Sequence, residues 1–280
     1  MLSRHLPLLF AAALSFTACS HAPAVTPAHR TASPSARQTF KLPSKALGET
    51  RTINVYTPPG YDAGDRRYPI LYMPDGGEAE DFPHVADAVD AGIRAGEVEP
   101  LIVVGIENTE RRRDMTGPTT VASDRAIAVR VGGSAAFRAF IRDELMPAVR
   151  TRVRGNGHTG IIGESLAGLF IMETFFVAPD TFDVYIALSP SLWWNDRGLV
   201  REAEAWRAAT PQLHKTLYLS VAGDDDRGDS ILAMSNRLRS TPPEGLSSLY
   251  EPRPGERHDT IYRASEGPAL RKVFPAAPTR

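Results

Sequence analysis

Apolar residues come in three rhythms along this chain. Short apolar runs occur at "YPILYM" (68–73) and "LIVVGI" (101–106), and further strands are expected at "HTGII" (158–162), "DVYIALS" (183–189) and "TLYLSVA" (216–222). Runs of this length, ended by turn residues, predict strands buried on both faces of a sheet. Alternating apolar and polar positions in "RQTFKLP" and "TRTINVYTP" predict early antiparallel strands, and "SSLYEP" a late strand. A 3.6-residue period marks helices. "SAAFRAFIRDELMPAV" places Phe137, Phe140, Ile141 and Leu145 on one face, and "LAGLFIMETFF" is apolar all round, as a buried helix is. Further helices are expected from about Pro83 to Ala95, over "SILAMSNRLR" and over "SEGPALRKVF". Strands alternating with helices predict an α/β fold with a mainly parallel sheet and helices on both faces.

The first 37 residues do not share these rhythms. "MLSRHLPLLFAAALSFTAC" has a basic start at Arg4 and His5, an apolar run from Leu6 to Leu14 and small residues before Cys19. That order predicts a secretory signal peptide over residues 1–19. Cys19 is the sole cysteine, so no internal disulfide forms. Phe16-Thr17-Ala18-Cys19 resembles a bacterial lipobox, which implies lipidation at Cys19; plain cleavage near Ala18 is the alternative. Either route places the mature protein outside the cytoplasm, in the periplasm or tethered to the outer membrane. Residues 20–37, rich in Ala, Pro, Ser and Thr, read as a flexible tether, and residues 38–276 as one domain.

Composition narrows function only by exclusion. Residues are 42% hydrophobic and 23% charged, and the formal net charge is −1. No basic block argues for nucleic acid, and membrane contact is expected only through a lipid anchor at Cys19.

The chemistry concentrates at "IIGESLAGLF" (161–170). A serine at a tight strand-to-helix turn, flanked by small residues, is the arrangement of a nucleophile elbow, with the following amide free to stabilise an oxyanion. Ser165 is thus the candidate nucleophile and Leu166 N–H a candidate oxyanion donor; a capped helix start is the structural alternative. A serine nucleophile needs a base and an orienting acid, in the chain order Ser, acid, His for this architecture. Among the seven histidines, His258 in "RPGERHDTIY" alone follows a late strand. The acid is expected in "TLYLSVAGDDDRGD". Asp226 stands three residues after the strand-end Gly223, with Asp225 as runner-up. The second oxyanion donor should come from "PDGG" after the 68–73 strand, where Gly77 N–H is the candidate.

Six segments in order carry a resemblance: "YPILYMPDGG", "LIVVGIENTERRRDMTGP", "FIRDELMPAVRTRVR", "GESLAGLF", "ALSPSLWWND" and "GERHDTIY". They resemble the esterase family that includes esterase D, the enterochelin and other siderophore esterases, and the mycolyltransferases. "SPSLWWN" resembles the siderophore-esterase branch in particular. The resemblance implies an α/β-hydrolase fold and a serine esterase mechanism with no cofactor and no metal. Ser165 and His258 would hold the roles argued above, and Asp226 matches less securely among its neighbours. The family pattern has glycine where this chain has Ala167, a small residue that the turn should accept. Trp193 and Trp194 follow a strand end and are candidates to stack on an aromatic acyl group, with core packing as the alternative for one of them. One of Arg111 to Arg113 in "ERRRDM", with Arg113 as the candidate, could bind an anionic substrate, against a structural arginine pair with Asp114 that holds the loop. The expected substrate is a small-molecule or glycan-linked ester. Acyl transfer, as in the mycolyltransferases, and non-catalytic ligand binding are the competing functions.

Overall fold

The computed structural model describes residue 2, residues 33–225 and residues 228–278. Cys19, the leader and most of the tether lie outside the described residues, as does Asp226. The unit from Ala32 onward is built on one eight-stranded sheet. Its strands are β1 (Ala36–Ser44), β2 (Glu49–Thr57), β3 (Tyr68–Met73), β4 (Ile102–Ile106), β5 (Gly155–Glu164), β6 (Val184–Leu188), β7 (Thr216–Ala222) and β8 (Ser247–Arg253). The order across the sheet is β1-β2-β4-β3-β5-β6-β7-β8. β1 and β2 form an antiparallel hairpin in register from Ala36↔Thr57 to Ser44↔Glu49, and β2 lies antiparallel to β4. From β4 to β8 every pairing is parallel. The turns that follow β3, β4, β5, β7 and β8 therefore emerge at one edge, where ligands of such sheets bind.

Helices cover both faces. They are α1 (Phe82–Arg94), α2 (Arg111–Asp114), α3 (Ala122–Arg125), α4 (Ser134–Ala139), α5 (Met146–Arg150), α6 (Leu166–Val177), α7 (Trp194–Ala209), α8 (Asp229–Ser240) and α9 (Ile261–Val273). The two-residue period of the strands sorts the core. Ile70, Tyr72, Ile161 and Leu219 pack with α4 to α8, whereas Leu71, Met73, Ile162 and Tyr218 pack with α1 and α9. Because both faces are covered, β3, β4 and β6 are buried at every residue, which is why each is written as an unbroken apolar run. α6 is sandwiched on all sides, and ten of its twelve residues are buried.

Three differences from the sequence expectation have local causes. The helix expected over 134–149 is broken by a π-helical turn at Phe140–Leu145 before α5. Pro147 lacks an N–H, so the i−4 ladder cannot pass through it unchanged. α7 was not expected at all. Its fully buried apolar residues are few (Trp194, Val200, Ala203), with Leu199 and Trp206 half-buried on the core, and the charged residues between them make the apolar period faint. β1 begins at Ala36, inside the segment read as tether, because Ala36 and Arg37 pair with Thr57 and Tyr56.

Candidate active site

β5 runs straight into the turn that carries Ser165. The serine sits at φ 59° and ψ −118°, a strained conformation for a residue with a Cβ. It persists because both flanks fix it: Ser165 N–H donates to Leu188 O at 3.0 Å, and Ser191 N–H donates to Ser165 O at 3.0 Å. Small residues are a packing need here. A Cβ on Gly163 would stand 2.7 Å from Ala167 Cβ, and one on Gly168 would stand 2.9 Å from Pro190 Cα. The Ala167 methyl is accommodated because glycine stands opposite it. Leu166 opens α6, where the first N–H groups of a helix have no i−4 acceptor, so its amide points toward the serine's surroundings with the positive end of the helix behind it.

His258 arrives from the loop between β8 and α9. Its Nε2 lies 3.0 Å from Ser165 Oγ. On the far side of the ring, Nδ1 lies 3.6 Å from Asp225 Oδ2, an ion-pair distance longer than a good hydrogen bond. The backbone N–H of His258 donates to Asp224 Oδ1 at 2.8 Å, so the two loops are stitched together independently of the ring. Asp226, the acid expected from the sequence, lies outside the described residues; the runner-up Asp225 has its carboxylate beside Nδ1. A third carboxylate is also present. Glu164 Oε1 lies 3.0 Å from His258 Nε2, and its side chain is only 16% exposed. The carboxylates of Asp225 and then Glu164 push the His258 imidazolium up to about 10. Burial raises the carboxyl of Glu164, while the His258 charge opposes that rise.

Ser165 opens into a cavity of about 400 Å³ whose wall includes Arg111, Arg112, Ile127, Ser191 and Trp193. Ser191 Oγ lies 3.4 Å from Ser165 Oγ. Arg111 is held by a two-pronged pair with Asp75, Nε to Oδ1 at 2.7 Å and Nη2 to Oδ2 at 2.9 Å. Burial would lower the Arg111 pKa, but its bonds to Asp75 prevail and it stays firmly cationic.

Three of the residues expected to line the site do not. Gly77 N–H donates to Glu80 Oε2 at 2.7 Å, and Gly76 N–H donates to Ile106 O at 2.9 Å, so neither amide of this glycine pair is free for an oxyanion. Arg113 turns away from the cavity. Its guanidinium reaches Asp114 Oδ1 at 2.7 Å and Glu49 Oε1 at 2.8 Å, the structural pairing rather than an anion site. Trp194 is 5% exposed, and its Nε1–H donates to Gly117 O at 3.0 Å, which makes it core; Trp193 alone of the pair lines the cavity. Of the three arginines the sequence offered, Arg111 and Arg112, not Arg113, reach the cavity wall. The signal for Arg111 was its position first in the "RRRD" run, closest to the β4 end.

Comparison with known proteins follows the same outline. The sequence profile of the family described as "Putative esterase" matches residues 44–262. The ferri-bacillibactin esterase BesA of Bacillus subtilis is 27% identical over 247 residues, covering 80% of this chain and 85% of that protein. The siderophore enterobactin esterase of Emericella nidulans is 38% identical over 95 residues, 32% of this chain and 31% of that protein. Among solved structures, the IroE-like serine hydrolase from Shewanella oneidensis superposes with a TM-score of 0.79 at 27% identity, covering 85% of this chain and 80% of that one.

Proposed function

The chain belongs to the esterase family and is a carboxylic ester hydrolase, and from that premise we propose that it cleaves siderophore esters through an acyl-enzyme on Ser165. The observation that carries the mechanism is the 3.0 Å approach of His258 Nε2 to Ser165 Oγ at a strained elbow. In this reading His258 takes the hydroxyl proton as Oγ attacks the ester carbonyl. Asp225, facing Nδ1, favours the tautomer that leaves Nε2 free to accept it. The carbonyl oxygen becomes an oxyanion, which receives the Leu166 N–H. With Gly77 engaged by Glu80, the further positive charge comes from Arg111, fixed by Asp75 in the same cavity wall. The imidazolium then protonates the departing alcohol. Water, activated by the same histidine, hydrolyses the acyl-enzyme and restores Ser165.

The siderophore assignment draws on the relatives, among them esterases named for bacillibactin and enterobactin. The cavity suits an acyl group that combines a ring with negative charge. Trp193 offers an aromatic face, and Arg111 and Arg112 offer cations. In this reading the leader-like start carries the chemistry outside the cytoplasm, with Cys19 as the anchor point, a placement supported by the lipobox-like order of Phe16 to Cys19. The deciding experiment gives the mature protein ferric and iron-free trilactone siderophores beside p-nitrophenyl acetate, with Ser165→Ala as the control. Release of the linear siderophore by the wild type alone supports the reading. Equal rates from both proteins would sink the mechanism, and hydrolysis of p-nitrophenyl acetate without any siderophore cleavage would sink the substrate. Mass spectrometry of the membrane fraction tests the anchor; an unmodified soluble form starting after Ala18 would refute it.

A further inference from the structure

Glu164 ends β5 and immediately precedes Ser165, and its side chain turns into the site instead of toward solvent. Its Oε1 is buried and lies 3.0 Å from His258 Nε2, which can donate to it only when the ring is protonated. The direction in which Nε2 bonds is already taken by Ser165 Oγ at 3.0 Å. A buried carboxylate oxygen is costly whenever its neighbour offers no proton, so this one is satisfied only by the protonated ring. The imidazole consequently lies between two carboxylates, Asp225 toward Nδ1 and Glu164 toward Nε2.

We propose that Glu164 is a positioning residue for His258: a second carboxylate, on the Nε2 side of the ring, that favours the imidazolium formed when Ser165 gives up its proton. The inference rests on the reading of Ser165 and His258 as nucleophile and base. While His258 is neutral, its Nε2 lone pair faces the Glu164 oxygen and the contact is repulsive or neutral. Once the ring holds the serine proton, Nε2–H faces both Ser165 Oγ and Glu164 Oε1, and the contact becomes a charge-assisted attraction. Glu164 thus acts chiefly on the state reached during attack, which is where an interaction raises rate. The cost is that the resting histidine also stays protonated to higher pH, which leaves a smaller fraction of the free base at any pH below its raised pKa.

His258 and Arg111 are positive charges that face Glu164. Glu164 is faced by His258, by Arg111 beyond β4, by Asp75 beyond β3, and by the Tyr262 ring of α9. Arg111 is shared with Asp75, which takes both prongs of its guanidinium, and His258 is the cation in direct contact with Glu164. His258 in turn is faced by Asp225 and Glu164, and Asp224 holds its backbone. Its chain neighbours Arg257 and Asp259 pair with each other. Raised basicity at His258 and a raised carboxyl at Glu164 agree with this arrangement.

The test compares kcat/KM against pH for the wild type and Glu164→Gln on p-nitrophenyl acetate. Gln keeps the shape and removes the charge. Expected is an acid limb displaced to lower pH by about one unit or more, so that well below the limb the variant retains about tenfold more of its own plateau rate. The plateau itself should fall. Limbs at the same pH in both proteins would overturn the proposal. A ring titration by NMR, with His258→Gln to assign the resonance, reads the same effect without turnover. A His258 midpoint that falls in Glu164→Gln supports the proposal, and an unchanged midpoint refutes it. Should Ser165-dependent hydrolysis be absent, the proposed function fails while the ring titration still decides this inference. Should Glu164→Gln not fold, Glu164→Asp withdraws the carboxylate by one methylene and must lower the midpoint.

Discussion

Gly223 stands against the backbone of Pro254 so closely that a Cβ on it would lie 2.2 Å from the Pro254 carbonyl oxygen. This contact joins the β7–α8 loop, which carries Asp224 and Asp225, to the β8–α9 loop, which carries His258. Gly223 N–H also donates to Glu256 O at 2.9 Å across the same seam. The relative position of acid and base is therefore set by a residue with no side chain. Since the opposing atoms are backbone, Gly223→Ala must push the loops apart. We expect kcat/KM to fall by about 10- to 100-fold, the usual cost of an ångström-scale misplacement, with a much smaller change in Tm. Steady-state kinetics beside a thermal melt checks this, and unchanged kcat/KM would mean that the seam does not place His258.

The adjacent aspartates should separate by function. Asp225 faces Nδ1 of His258, whereas Asp224 accepts the His258 backbone N–H. Asp225→Asn removes the charge that orients and stabilises the imidazolium, and kcat should drop by about 10³- to 10⁴-fold with little change in KM. Asp224→Asn keeps an acceptor for the backbone amide and should cost less than about tenfold, the scale of weakening a single hydrogen bond. Parallel kinetics of the two variants, with Asp226→Asn beside them, is decisive. A loss concentrated at Asp226 would move the acid to the residue first expected from the sequence.

The frame of the fold is readable in the chain because burial on both faces leaves no room for polar residues: "YPILYM" and "LIVVGI" become β3 and β4 almost without adjustment. Ser165 and His258 were reachable because topology constrains chain order. The remaining site residues depend on loop geometry that no period encodes. Asp224, Asp225 and Asp226 are chemically identical, and the Gly223–Pro254 seam, which no period encodes, is what brings Asp224 and Asp225 beside His258. Three consecutive arginines on one helical turn point about 100° apart, so which one meets the cavity depends on how that turn is seated. Arg111 meets Asp75 and Arg113 meets Asp114 for that reason. Gly77 was misjudged because the Glu80 side chain reaches back to its amide, a contact invisible to a glycine count.

How that turn is seated leads to the next expectation. Arg51 of β2 and Asp114 of α2 form an ion pair with side chains 0% and 1% exposed. The guanidinium also lies over the Phe137 ring, 5.3 Å from its centroid. Asp114 is thereby the anchor that seats α2, and with it Arg111, on the sheet. Asp114→Ala leaves the Arg51 charge buried with less compensation and should destabilise the fold by about 3–5 kcal/mol. Denaturant unfolding measures this directly. A loss below about 1 kcal/mol, the range of exposed pairs, would show that Glu49, 2.7 Å from Arg51, suffices alone.

A second buried ion cluster gives stability a pH signature of its own. His84 of α1 is buried between Glu266 of α9, with Nδ1 to Oε2 at 2.6 Å, and Asp81, with Nε2 to Oδ1 at 3.1 Å. Burial alone would lower its pKa, but the two carboxylates win and raise it to about 9. Folding therefore favours the protonated ring. The contribution is complete below the ordinary histidine value near 6.5 and is lost as pH rises from there through about 9. Over that window the wild-type Tm should decline by roughly 3–10 °C from this group, taking one to two units of linkage at ~1.4 kcal/mol each and about 2–4 °C per kcal/mol. His84→Gln should be less stable throughout, since it strands the buried Glu266, but between pH 7.5 and 9 its Tm should fall less steeply than the wild type's, the remaining slope coming from groups such as His258. The slope is the diagnostic, because a lost packing contact lowers Tm equally at every pH. Melting curves of both proteins across that range, in one buffer series at constant ionic strength, give the comparison. Parallel slopes would mean that His84 is neutral in the fold and that the α1–α9 junction is held by packing alone.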